Sequence, residues 1–446
     1  MDAARDRGLG SRAMRTWMAL VVLSFGLVAC SGGDPAPDPD RPTPPDSNDP
    51  AFTIQGARSW YLIGDGVTPG DDTMTVIVSA PAHTSFVDAY VGDHKPVRMS
   101  KQSNGFAMQV SIADIVGDTD VLFSADGSQT AFASWPFHRS SPYYVLVSTD
   151  YDFSDPGQNS IMWINYLHGM HPGMRITHFW APYTYTDPMV TEQRRDQLTQ
   201  FILDMQSMYK DEIGLHIHPY CNFVEDAGIT CITNASDVNA DGNDLSGYTI
   251  RIEAYQRDPM ATLLQHASDI FAARGLPRPQ TFRAGGWTAD LNTFLALQDK
   301  GFIADSSALN WARIEEWQGH NIYDWTMQHW GPINDTAQPF MPTDTDVLGA
   351  SGTPLGMLEV PDNGVMIDYV SLAEMTGIFD ANWTGKALAK PTALMMGFHP
   401  SLNLTEDEYN RVNDFLKYAD MHLATKDLGP VVYTTLSDVT PAFEAQ

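Results

Sequence analysis

The chain has 446 residues, of which 55 are acidic and 26 basic, for a formal net charge of -29. An excess of that sign argues against nucleic-acid phosphates or anionic lipid headgroups as partners of the folded part, and fits a saline habitat. The length exceeds what one ordinary hydrophobic core needs and accommodates two folded parts.

At the N-terminus, Arg5, Arg7, Arg12 and Arg15 precede an apolar stretch from Trp17 to Ala29, too short for a comfortable membrane span. Leu27-Val28-Ala29-Cys30 then resembles a bacterial lipobox, so residues 1–30 read as a lipoprotein signal peptide with Cys30 as the lipidated first residue. A cleaved secretory signal with an incidental cysteine is the competing reading. Ser31 rather than Asp at the next position fits outer-membrane sorting, so the expected location is the cell envelope, lipid-anchored and outer-membrane or periplasm-facing. Residues 31–50 carry seven prolines and nothing apolar larger than Ala36, which makes them an unpacked tether. At about 3 Å per residue it would reach up to roughly 60 Å from the bilayer. The lipid is then the only expected membrane contact.

From 51 to 138 the chain offers short alternating runs such as Thr73–Val78, Phe106–Val110 and Val121–Phe123, separated by Gly-Asp and Asn-Gly turns. No long helical period appears, and the expectation is a small all-β, immunoglobulin-like sandwich. After Pro142 the rhythm changes to strands alternating with helices. Residues 191–208, 252–274, 289–300 and 406–426 carry helical spacing, with Thr405 as an N-cap before Glu406. About seven strand-helix units predict an α/β fold, a distorted (β/α) barrel over residues 141–446. Two long stretches, 219–249 and 306–362, interrupt the rhythm and would sit over the strand ends, where long loops shape a substrate groove.

Polar residues recur just past the apolar runs. Tyr143–Val147 is followed by Asp150 and Asp152, Ile213–Leu215 by His216 and His218, Thr281-Phe282 by Arg283, Phe302–Ala304 by Asp305, and Leu394–Phe398 by His399. In a parallel barrel all of these converge on the C-terminal rim. One carboxylate and two imidazoles, Asp152, His216 and His218, suit Zn²⁺ or another divalent transition metal with an open position, and leave Asp150 and His399 as proton carriers for a hydrolysis. Taken singly, each piece has a structural reading: an Asp-x-Asp can cap a strand end, and a His-x-His puts both rings on one strand face where packing explains them.

In this order the residues resemble the polysaccharide deacetylase (NodB-homology, carbohydrate esterase) family over roughly residues 141–440. Asp150 and Asp152 look like its first motif, which implies Asp150 as base and Asp152 as metal ligand. His216 in Glu212-Ile213-Gly214-Leu215-His216 matches the first histidine ligand of the second motif. Arg283 resembles the arginine that holds the base, Asp305 the aspartate that orients and tunes the catalytic histidine, and His399 the general acid. Two departures stand out. The family spaces its two histidines by three residues, whereas here the next one is His218. The third motif's proline is replaced by Gly285-Gly286-Trp287, which leaves the oxyanion-stabilising N–H unassigned and offers Trp287 for stacking on a sugar ring.

Within the first insertion, Cys221 and Cys231 flank a loop and are expected to form a disulfide in an exported protein. Asp237–Asp244 resembles the first half of a Ca²⁺ loop but has Tyr248 where the bidentate Glu belongs, so structural Ca²⁺ competes with a solvated acidic turn. Trp311, Trp317, Trp325 and Trp330 in the second insertion serve either a core or a sugar-stacking surface. The expectation is therefore a metal-dependent hydrolase that removes acetyl groups from an N- or O-acetylated glycan. A surface carbohydrate-binding lipoprotein without turnover and a metal-dependent amidase on a non-sugar amide are the alternatives. Substrate, metal identity and oligomeric state are not legible in the residues.

Overall fold

The structure is a computed structural model that describes residues 41–239, 243–314, 317–400 and 404–444. The expected signal peptide with Cys30, and residues 31–40 of the expected tether, lie outside the described residues. From Pro42 onward the chain forms one compact unit. None of its described helices is long and apolar enough to cross a membrane.

The N-terminal part is built from two sheets packed face to face. One orders strands 54–55, 73–78, 105–111 and 100–102, the other 60–62, 133–140, 117–125, 87–91 and 97–98. Alternation explains the packing: in Thr73–Val78, Met74, Val76 and Val78 are buried while Thr73 and Thr75 face out. These side chains meet Val87, Ala89, Val91, Phe106 and Phe123 in a core of their own. Every pairing is antiparallel except that of Trp60–Leu62 with His138–Ser140.

The larger part is an eight-stranded parallel sheet: β1 (Tyr143–Asp150), β2 (Ile176–Trp180), β3 (Glu212–Ile217), β4 (Thr281–Ala284), β5 (Ala304–Asp305), β6 (Leu358–Glu359), β7 (Thr392–Phe398) and β8 (Val431–Thr434). Its path runs β6-β5-β4-β3-β2-β1-β7, seven strands as the sequence predicts. The eighth, β8, pairs with Tyr143–Leu146 of β1, below the stretch Val147–Asp150 that pairs with β2. Every residue of β1 is buried, as a strand covered on both faces requires. No regular strand joins β6 to β7. The irregular segment after β6 spans the gap instead: Leu309 bridges Asp362, Met366 bridges Gly397, and the Gly364 and Ile367 N–H groups donate to Met395 and Gly397 at 2.7 and 2.8 Å. The Asn363 side chain completes the seam, accepting from Met395 N at 3.0 Å and donating to Ala393 O at 3.1 Å.

Helices at 192–209, 257–273, 291–299 and 406–420 surround the sheet, close to the spans read from periodicity. Thr405 caps the last of them in a reciprocal capping box with Glu408. The sandwich meets the barrel at the base, opposite the strand C-termini. Trp60 inserts into the barrel core beside Trp383, Asp427 accepts from the Ser59 and Trp60 N–H groups at 2.8 Å each, and Tyr144 donates to Asp65 at 2.6 Å.

Candidate active site

Because successive strand residues alternate faces, Asp150 and Asp152 at and past the end of β1, and His216 and His218 along and past β3, project toward the same interior. Asp152 Oδ1 lies 3.2 Å from His216 Nε2 and 3.5 Å from His218 Nε2. One ligand atom from each of the three falls within 4.8 Å of the others, and no other such group occurs among the described residues. Both imidazoles are oriented from behind. His216 Nδ1 donates to Arg283 O and His218 Nδ1 to Tyr248 O, each at 2.9 Å, so the proton sits on Nδ1 and the Nε2 lone pairs face Asp152. Gly285 makes room for the second ring, since a Cβ there would lie 2.7 Å from His218 Cγ and Nδ1. The Gly-Gly-Trp departure and the His-x-His departure from the family pattern are therefore one structural feature: the shorter histidine spacing needs the glycine.

Asp150 is held by the fully buried Arg283, whose Nη1 donates to Asp150 Oδ1 and to Ser148 Oγ at 2.9 Å each. Arg283 also donates through Nε to Ser306 O and through Nη2 to Ser306 Oγ. His399 follows β7, with Nε2 3.8 Å from Asp152 Oδ2. Burial disfavours its charged form, but Asp152, Asp368 and Asp150 outweigh that and push the imidazolium pKa up to about 10. Burial likewise opposes ionisation of Asp152, yet the positive charge of His399 is the largest influence that holds it well below the usual carboxylate range.

The resemblance placed Asp305 behind His399, and the structure places Asp368 there: its Oδ2 lies 2.5 Å from His399 Nδ1. Asp305 instead accepts from Ser307 N and Oγ at 2.9 and 3.1 Å. Burial lifts its pKa to about 6 beside the equally buried Glu359. Asp362, missed in the sequence, is buried 3.4 Å from Arg283 Nη2 and is raised by burial to about 6. Asp368 ends an apolar run, Val365-Met366-Ile367, and so carries the same strand-end signature that marked the other residues. It went unread because the run closes the barrel by bridges without forming a regular strand.

The two insertions build walls above these groups. A cavity of about 150 Å³ is lined by Asp150, Asp152, His216, His218 and His399, by Asn239, Tyr248 and Thr249 of the first insertion, by Trp311, Trp317 and Ile322 of the second, and by Gly286, Trp287 and Tyr369. The four tryptophans of the second insertion divide: Trp311 and Trp317 line the cavity, while Trp325 and Trp330 are buried elsewhere. Trp287 has a left-handed backbone, φ 55°, a strained state for a bulky residue, and aims its ring edge-on at His399 with 6.1 Å between centroids. Cys221 and Cys231 are joined in a disulfide. The Ca²⁺-loop expectation lies partly outside the described residues, at 240–242. Asp244 beside them accepts from the N–H and hydroxyl groups of both Ser246 and Thr249, so protein donors take up its carboxylate.

No family model matches the chain, and no curated protein does. Solved structures similar to it include a candidate polysaccharide deacetylase from Mycobacterium smegmatis, at 14% identity over 68% of this chain and 91% of that one, TM-score 0.40. A family 4 carbohydrate esterase from Streptomyces lividans in complex with acetate matches at 10% identity over 68% and 96%, TM-score 0.34. The Xyl-CE4 domain of a multidomain xylanase from the hindgut metagenome of Trinervitermes trinervoides matches at 9% over 68% and 91%, TM-score 0.33. These likenesses concern the barrel fold alone, and the functional argument rests on the side chains.

Proposed function

We propose that this protein is a divalent-metal-dependent hydrolase that removes acetyl groups from an N- or O-acetylated glycan, held at the cell envelope by a lipid on Cys30. The observation that carries the reading is the pairing of a three-ligand cluster with two separately supported proton carriers, Asp150 on Arg283 and His399 on Asp368. The ligand set fits a cation: one carboxylate and two imidazoles whose Nδ1 atoms are engaged by backbone carbonyls bring three ligand atoms within 4.8 Å of one another, a set suited to Zn²⁺ with an open position. A divalent ion bound there would supply Lewis acidity toward an acyl oxygen and make water more acidic.

The chain's own residues account for the protons. As a water oxygen adds to the acetyl carbon, Asp150, oriented by Arg283, accepts the water proton. His399 enters protonated and gives its proton to the departing nitrogen or oxygen as the C–N or C–O bond breaks, leaving acetate and a free amine or hydroxyl. A cation beside Asp152 would offset part of that carboxylate's pull on His399 and lower the imidazolium pKa toward the working pH, where a general acid works best. Support for acetyl as the group removed comes from the order of the motif residues, Asp150 and Asp152, His216, Arg283 and His399. The deciding experiment compares metal content and acetate release for the wild type, Asp152→Ala and Asp150→Asn. The first variant should lose metal and activity. The second should keep metal while turnover falls by about a hundredfold or more. A wild type that binds no divalent ion on titration would refute the proposal.

A further inference from the structure

The cavity over the ligand cluster is narrow and built by this chain's own insertions, and its polar content is unusual. Asn239 Oδ1 and Trp311 Nε1 are buried with no hydrogen-bond partner among the described residues, in residues that line it. An unmet acceptor or donor in an apolar wall is destabilising, so such a pair persists where a ligand satisfies it. One backbone hydrogen bond ties the two insertions together beside the cavity: Ile322 N–H donates to Asn239 O at 3.2 Å, while within the first insertion Asn239 N–H donates to Thr249 O at 2.7 Å. The link fixes the two walls relative to each other, so the cavity keeps its size. At about 150 Å³ the space matches one six-membered ring, since apolar cavities of about that volume take up benzene.

Beyond the Tyr248 wall the surface opens. Tyr248 stacks on Phe153 and Tyr220, and these two line a trough of about 470 Å³ together with Met189 and Arg194. Phe153 and Met189 are 40% and 86% exposed there, which provides an apolar floor outside the cavity.

From this we infer that the protein acts on a single terminal acylated sugar ring, seated in the aromatic cavity with its hydroxyls on Asn239 and Trp311 while the rest of the molecule leaves along the Phe153–Met189 trough. The inference rests on the hydrolase reading for the reaction, but the cavity's selectivity stands apart from it. Aromatic walls match the C–H faces of a pyranose, and the two orphan groups need a ligand that both donates and accepts, as hydroxyls do.

The test uses the metal-loaded protein, fully N-acetylated chitin oligomers of two to six units and acetylated xylan oligomers. Products are sequenced by mass spectrometry, and binding is followed by calorimetry. The expected result is loss of acetate from one terminal unit only, with rates that level off beyond the trimer. Asn239→Ala, which keeps both backbone bonds, should bind about tenfold more weakly or worse. Trp317→Ala, which removes a wall, should let internal units react. Acetate loss from internal units by the wild type would overturn the inference and leave the hydrolase reading intact. Binding that weakens in Asn239→Ala without any acetate release would sustain the inference while the hydrolase reading failed. Oligomers that neither bind nor react would overturn both.

Discussion

Adding one methyl group at Gly285 tests whether His218 is a metal ligand. The Cβ of Gly285→Ala would sit 2.7 Å from His218 Cγ and Nδ1 and 2.8 Å from Cδ2. Ordinary carbon contacts lie near 3.5–4.0 Å, so the ring must retreat by about 1 Å. It cannot do so freely, because Nδ1 is fixed on Tyr248 O at 2.9 Å and the ring packs against Tyr248 at 4.5 Å. Metal–ligand bonds tolerate only about 0.2 Å, so a shift of this size removes one of three ligands or forces a poor geometry. Gly285 does not have a positive φ, and the effect is therefore steric rather than conformational. Overpacking should cost about 1–3 kcal/mol of stability. Metal affinity, measured by competition with a chromophoric chelator, should fall by about a hundredfold or more in protein shown by circular dichroism to be folded. Gly377→Ala serves as control: it lies in the helix Leu372–Asn382 with nothing within 4 Å of its added Cβ, and should match or exceed wild-type stability. A folded Gly285→Ala protein with unchanged metal affinity would refute the assignment of His218.

Asp368→Asn removes one of the carboxylates that raise His399. The folded-state pKa lies above the unfolded value, so the imidazolium contact stabilises fully below about pH 6.5 and is lost as pH rises toward about 10. In the variant the alkaline limb of both stability and turnover should move to lower pH by about 1 or more, and a pH–rate profile identical to wild type would show that Asp368 is not the positioning residue. Trp60→Ala should cost about 3–5 kcal/mol in denaturant unfolding, because a ring only 6% exposed leaves the seam between sandwich and barrel. Cys30→Ser should abolish lipid labelling and release the protein into the soluble fraction, and labelling that persists would remove the anchor from the account.

Much of the site was legible because parallel strands present their polar ends at one rim. Asp150, His216, Arg283 and His399 each follow an apolar run, and the period of two puts Asp150 with Asp152 and His216 with His218 on shared faces. The same logic misassigned Asp305. It does end a strand, but β5 is two residues long and sits two strands from β3 in the sheet order, so its carboxylate meets Ser307 and Glu359 inside the barrel and not His399.

Local patterning determined the switch from sandwich to barrel, the succession of strands and helices, and the residue types available for metal and proton chemistry, because each depends on periodicity within a few residues. Tertiary structure alone decided what stands behind each of those residues. Asp368 reaches His399 because an irregular segment, with no strand period to mark it, closes the gap between β6 and β7. Asn239 and Trp311, whose Oδ1 and Nε1 have no partner among the described residues, line one cavity because two insertions far apart in the chain pack beside each other. Contacts of that kind are set by long-range packing, which leaves no repeating trace in the order of the amino acids.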